Sequence, residues 1–316
     1  MNQYTKILST RFPKGKMEDT LRLFLISLFL LMVFLSVPLA SFSQKHHKGN
    51  EDDEIPKNKS WSFSINTGVM FASKYHANFY NGAEGNQNEI SYILDNQYIR
   101  NSIRNAINDT FALYGMPTDM KYQPAFCVGF SIKKKFNNHI GAFAQFNFSR
   151  LKTTDVFTLK LGATPPGTTT NLRLINCPIW GKEDRINIDL GVSGEIKLAD
   201  KIYGFLEGGL NINNTRVKQN MIAIDPVGEF SIINVYGNQQ WVPNTQLQEY
   251  PIKEGGLGIG AFLSPGFEFR FNDNAAVDLL GSVYYSKINL MHYSAFGLHY
   301  NVMIRFVFST SVSVDN

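Results

Sequence analysis

Arg185-Ile186-Asn187-Ile188-Asp189-Leu190-Gly191-Val192-Ser193-Gly194-Glu195 is the stretch that decides the fold. Ile186, Ile188, Leu190 and Val192 share one parity, while Asn187, Asp189, Gly191, Ser193 and Glu195 share the other. Successive side chains of a strand point to opposite faces, so one face here is wholly apolar and the other polar or tiny.

The same alternation recurs on both sides of this stretch. A first strand over about Ser60–Phe71 sets Trp61, Phe63, Ile65, Val69 and Phe71 against Ser62, Ser64, Asn66 and Gly68. A second (about Tyr122–Phe136) and a third (about His139–Leu151) follow, with Asn137-Asn138 as a tight turn between them. The opening stretch is the fourth, turned by Ala199-Asp200 into a fifth over about Ile202–Thr215. The sixth (about Gly255–Phe271) turns at Asn272-Asp273-Asn274 into the seventh (about Ala275–Asn289), where Leu280 breaks the pattern. The eighth covers about His299–Phe308.

Connection lengths alternate. Strands 2–3, 4–5 and 6–7 are joined by very short turns, and strands 1–2, 3–4 and 5–6 by long loops. Short turns on one side and long loops on the other is how outer-membrane barrels thread, with the long loops outside the cell. The expected fold is therefore all-β: an eight-stranded antiparallel up-and-down transmembrane β-barrel with long extracellular loops. Eight strands become ten if loop 3 pairs within the sheet.

The N-terminus supports export. A basic region ends at Arg22, an apolar run covers Leu23–Leu39, and Ser41-Phe42-Ser43 offers small residues for cleavage before Gln44. A single spanning helix is the competing reading of that run, but the stretch after it lacks a stop-transfer charge block. The expected organisation is a signal peptide over 1–43, a disordered periplasmic lead over 44–59 and the barrel over 60–316. The formal charge of +4 comes mostly from the signal: residues 1–43 hold five basic and two acidic residues, leaving 25 against 24. That balance offers no electrostatic case for nucleic acid. Cys127 and Cys177 are permitted to pair in an exported protein, and sequence leaves the bond open.

A water-soluble barrel of lipocalin type would need the apolar face inside. Here the polar face carries charges of both signs, including Lys133, Asp189, Glu207, Glu268, Asp278 and Arg305. Such a set cannot line a pocket for lipids but can pair within a narrow lumen, since a buried charge must be partnered. We expect these six residues to form a shared network with Arg305 near its centre.

The rims and loops carry further expectations. Trp61, Phe136, Phe269, Phe271 and Phe308 belong to one aromatic girdle, and Tyr122, Phe148, Tyr285 and Tyr300 to the other. In loop 1, Ile90, Ile93, Leu94, Tyr98, Ile103, Ala106 and Ile107 recur at helical spacing over Glu89–Leu113. This reads as an amphipathic helix: a lid on the other loops, a helix lying on outer-leaflet headgroups, or one docking a partner. In loop 3, Phe230–Tyr236 and then Trp241 either extend the hairpin or form a small plug.

The chain resembles the outer-membrane β-barrel proteins of Bacteroidota, several groups of which have no assigned activity. The likeness lies in Ser41–Gln44, in Met116–Ala125 entering strand 2, in Asn187–Gly191, in Glu207–Thr215 and in Arg305–Phe308. Barrels of that class usually end on an aromatic read by the insertion machinery; here Ser309–Asn316 follow Phe308.

Three functions are compatible with these features. The leading one is a non-enzymatic barrel that anchors a large loop crown for a partner or ligand. Passage of small solutes or hydrophobic compounds is the second. The third is an outer-leaflet lipid enzyme, with His292, Ser294 and His299 around loop 4 and Ser286 below as candidates. No P-loop, dinucleotide fingerprint, zinc pattern or nucleophile elbow is present, so neither a cofactor nor a metal is expected. Expected partners are outer-membrane lipid and lipopolysaccharide, and a protein at loops 1 and 3.

Overall fold

The computed structural model describes residues 61–86, 88–162, 172–236, 249–251, 254–272 and 274–310. The stretches expected to be an export signal and a polar lead, Trp241 and the residues after Thr310 lie outside them. In chain order the strands are β1 (Trp61–Phe71), β2 (Phe111–Gly115), β3 (Ala125–Lys135), β4 (Ile140–Leu161), β5 (Arg173–Ala199) and β6 (Ile202–Ile224). They continue with β7 (Gly228–Ser231), β8 (Asn234–Tyr236), β9 (Glu249–Pro251), β10 (Gly255–Asn272), β11 (Ala275–Lys287) and β12 (Phe296–Thr310).

Eight of these form a closed antiparallel ring in the order β1, β3, β4, β5, β6, β10, β11, β12. The ring shuts where β1 meets β12, from Trp61 opposite Thr310 to Phe71 opposite Tyr300. Loop 3 adds no strand to it: β7 pairs only with β6, and β8 with β9. β2, from loop 1, pairs with the outer end of β4. No described helix is long and apolar enough to cross a membrane; this chain crosses with strands.

Burial follows the alternation. Phe63, Ile65, Leu190, Val192, Leu210, Phe267, Ile304 and Phe306 point outward and are exposed, while Ser64, Asn66, Asp189, Glu207, Asn211 and Arg305 are buried inside. Only a hydrocarbon surround makes that inversion stable, and closure joins the two edge strands that an open sheet would leave exposed to it. The protein is a membrane-spanning barrel of the outer-membrane kind. On β5 the outward apolar row runs from Ile186 to Leu198. That is about 40 Å along a strand and roughly 30 Å after a tilt of about 40°, the thickness of a hydrocarbon core.

β4, β5 and β6 outrun that band and extend past the ends expected from alternation. On β4 the pleat continues without a break, but the chemistry of its faces swaps. Outward Phe146 and Phe148 give way to Arg150 and Lys152; inward Asn147 and Ser149 give way to Leu151, Phe157 and Leu159. β5 swaps between Ile186 and Asp184, the residue opposite Arg150. Above this level the wall stands in water, so its greasy face must turn inward.

Loop 1 fills the mouth. Its elements are α1 (Lys74–Ala77), a 3₁₀ turn (Asn78–Asn81), α2 (Ser91–Leu94) and α3 (Gln97–Ile107). The expected single helix is two, because the Asn96 side chain caps α3 by accepting from the N–H groups of Tyr98 and Ile99 at 3.1 and 3.2 Å. Ile90, Ile93, Leu94, Ile99 and Ile103 join Phe157, Leu159, Ile179, Ile222 and Ile224 in one apolar cluster. Loop 1 is thus a lid, and Tyr98 and Ala106 are left on its exposed side. From loop 3, Ile232 enters the same cluster while β7 extends the hairpin.

Candidate functional site

The inward face of the ring holds one connected polar network. Arg305 is 2 % exposed and lies at its centre. Its guanidinium donates to both Glu207 carboxylate oxygens at 3.0 and 2.9 Å, to Asp278 at 3.3 Å and to Gln145 Oε1 at 2.8 Å. Lys133 Nζ reaches Glu207 at 2.8 Å and Glu195 at 3.4 Å. Glu195 also takes Lys135 and Arg270, and Arg270 pairs with Glu268. Asp189 accepts from Asn211 at 2.7 Å and from the Tyr284 hydroxyl at 2.9 Å; Gln145 links it to Arg305. All six residues singled out from the sequence therefore lie in one cluster, joined by Glu195, Lys135, Arg270, Gln145 and Tyr284.

Phe143, Phe262 and Tyr284 meet across the lumen, with ring centroids 6.0 and 5.6 Å apart. Leu280, the break in the alternation of the seventh strand, points inward and packs in a cluster with Met303, Met70 and Phe205. Cys127 and Cys177 are both buried free thiols and do not pair.

A second cluster sits where the polar lumen meets the apolar lid. Glu183 and Arg185 are fully buried and form an ion pair. Glu183 also accepts from the Tyr80 hydroxyl at 2.7 Å and the Tyr122 hydroxyl at 2.9 Å. Arg185 Nη1 donates to His299 Nδ1 at 3.3 Å, which also accepts from the Ser73 N–H at 3.1 Å. His76 of α1 stacks on His299 at 5.1 Å and bonds the Ala295 carbonyl at 3.0 Å. Gly181, two residues above Glu183, lies under the Tyr80 ring, and a Cβ there would enter that ring. Tyr80, His76 and Glu183 together latch loop 1 to the barrel wall.

Extending the opening alternation backward by two steps places Glu183 and Arg185 on the polar face, so they were within reach of the sequence. Tyr122, expected in an aromatic girdle, turns inward to Glu183. Three of the four catalytic candidates have partners of other kinds. His299 is engaged by Arg185 and Ser73, Ser286 Oγ donates to Asn211 at 3.0 Å, and His292 lies in a left-handed turn with its carbonyl facing Tyr75. Among the described residues no group of His, Cys, Asp and Glu is placed to hold a metal.

The latch is pH-sensitive at His76. Burial first, and the Arg185 charge second, lower its pKa from 6.5 to about 4, against the raising effect of the Ala295 carbonyl. Tyr75 and His299 flank the ring, and neither supplies a negative charge. A released loop binds the proton more readily than a docked one. The docked state therefore has its full advantage above pH 6.5 and loses it as pH falls toward 4. At about 1.4 kcal/mol per unit the loss is on the order of 3 kcal/mol. The hydrogen-exchange protection of residues 74–81, taken relative to the intrinsic exchange rate at each pH, will fall across that window, and His76→Gln will give a shallower profile. A flat profile in the parent protein refutes the latch.

No protein-family model and no curated protein matches this sequence. Solved structures similar to it are barrels of the outer membrane and bacterial surface. Neisserial surface protein A is 8% identical, with 80% of this chain and 96% of that one covered at a TM-score of 0.37. OprG of Pseudomonas aeruginosa is 8% identical, covering 80% and 95% at 0.34. Ail of Yersinia pestis, the attachment invasion locus protein, is 10% identical, covering 80% and 98% at 0.32. The barrel assignment rests on the chain's own ladders and burial pattern.

Proposed function

We propose that this protein is a non-enzymatic anchor: a closed barrel holding a rigid crown of loops that binds a partner or ligand at the cell surface. The observation that carries the reading is that the lumen is blocked twice. The Arg305 network fills it within the membrane, and the loop-1 lid fills its mouth. Passage of solutes would require both to move. The crown meanwhile has its own apolar interior and still presents large side chains to water. Tyr98 on α3 and Tyr114 on β2 are 54% and 56% exposed, with Leu113 and Leu174 also uncovered. Aromatic residues of this kind dominate the energetics of protein interfaces. The resemblance to Bacteroidota barrels of unassigned activity agrees with a surface role.

Two measurements test this. Purified protein in planar bilayers will show no steady conductance. A photo-crosslinking residue at position 98 or 114 in intact cells will give a discrete adduct, diminished when the other tyrosine is changed to Ser. Conductance of the parent protein, or no adduct at either position, overturns the reading.

A further inference from the structure

Just above the lipid-facing band, the outward face of three adjacent strands is strongly basic. Arg150 of β4 stands opposite Asp184 of β5, and Asp184 opposite Arg216 of β6. One rung further out, Lys152 stands opposite Lys182, and Lys182 opposite Gln219, with Lys218 in the bulge beside it. Asp184 is the sole carboxylate on these rungs; it takes Arg150 at 2.7 Å and Lys218 at 3.4 Å. Lys152, Lys182 and Arg216 have no carboxylate partner among the described residues. Like charges directly opposite on neighbouring strands are destabilising, so the Lys152–Lys182 rung calls for an external anion.

A groove opens beneath that rung on the same outer wall. β3 and β4 pair as far as Cys127 and Ser149, then meet again only at the Tyr122–Thr153 bridge. Pro124 has no N–H to continue the ladder, and residues 123–126 lie against residues 150–152, four against three. The parting leaves a groove lined by Pro124, Phe126, Val128, Phe148, Arg150 and Lys152. Its floor is apolar, with Phe126 67% exposed, and its upper rim is cationic.

Each half alone would accept many ligands: the floor any hydrocarbon chain, the rim any anion. Their juxtaposition at the level where hydrocarbon gives way to headgroups fits a molecule carrying both. We infer that this groove and belt hold an acylated, phosphate-bearing lipid of the outer leaflet. One acyl chain lies along Phe126, Val128 and Phe148, and a phosphate is held between Lys152 and Lys182 with Arg150 beside it. The inference rests on the membrane-spanning barrel and not on the crown's partner, so either can fail alone.

The test uses the full chain in phosphatidylcholine nanodiscs, with lipid A carrying two phosphates as the probe and native mass spectrometry as the readout. The expected result is one lipid A retained per chain. Retention should fall at least tenfold for dephosphorylated lipid A and for the double variant Lys152→Gln/Lys182→Gln. Those lysines have no carboxylate partner among the described residues and the Arg150–Asp184 pair is kept, so the variant's heat-dependent gel mobility should stay that of a folded barrel. The comparison of the two lipids on the parent protein needs no variant. Equal retention of the dephosphorylated lipid overturns the proposal. So does displacement of lipid A by millimolar inorganic phosphate, which would mark a free-anion site, or unchanged retention by the folded double variant.

Discussion

Arg305→Met will lower the unfolding free energy of the barrel by about 3–5 kcal/mol, the usual cost of removing one partner of a buried ion pair. The guanidinium now joins three inward groups from three different strands: Glu207 of β6, Asp278 of β11 and Gln145 of β4. In its absence Lys133 still reaches Glu207 at 2.8 Å. Asp278 then has no ion-pair partner among the described residues. Arg305→Lys will lose less, since it keeps the charge while giving up the two-pronged contact. The double variant Arg305→Met/Glu207→Met will be more stable than the sum of its parts, because it leaves fewer charges stranded. Urea unfolding in detergent, followed by heat-dependent gel mobility, reads all three. A midpoint that does not move in Arg305→Met would show that the lumen network contributes no stability.

Glu183→Ala will release loop 1 while leaving the ring folded. The substitution strands Arg185 in a buried site and removes the acceptor of both the Tyr80 and Tyr122 hydroxyls. A loss of about 3 kcal/mol or more is expected for such a site, which is a 100-fold or greater rise in the open population. Because Glu183 lies above the lipid band, the penalty falls on the docking of loop 1 and not on the wall below. Hydrogen exchange of α1 and α3 should accelerate by that factor, while exchange of the β1–β12 seam stays slow. Equal acceleration at both places would mean that lid and ring are a single cooperative unit.

Much of this arrangement was legible in the amino-acid order, for a definite reason. Within the bilayer the two faces of each strand meet two different solvents, so parity alone separates Leu190 from Asp189 and Phe306 from Arg305. Closure in chain order then brings the inward charges together. What escaped was the part where the solvents change. Past Ser149 the same parity holds greasy residues inside and charged ones outside, so Leu151, Phe157 and Leu159 looked like the end of a strand. The Glu183–Arg185 pair straddles that boundary: Arg185 stands opposite Ser149 and Glu183 opposite Leu151, where the inward face turns greasy. Tyr122 was misplaced because an aromatic near a rim suits a girdle as well as it suits a buried carboxylate. The split of the loop-1 helix turned on one local feature, the capping amide of Asn96, which periodicity does not register.

The pairing of β4 with β5 runs from Ile140 opposite Gly194 to Leu161 opposite Arg173 without a register shift. It crosses from hydrocarbon into water with no joint. On this side the crown has no ankle: a sideways push on the β4–β5 tip passes down an unbroken ladder into the bilayer. Whatever grips the molecule there is held at a fixed attitude to the cell envelope.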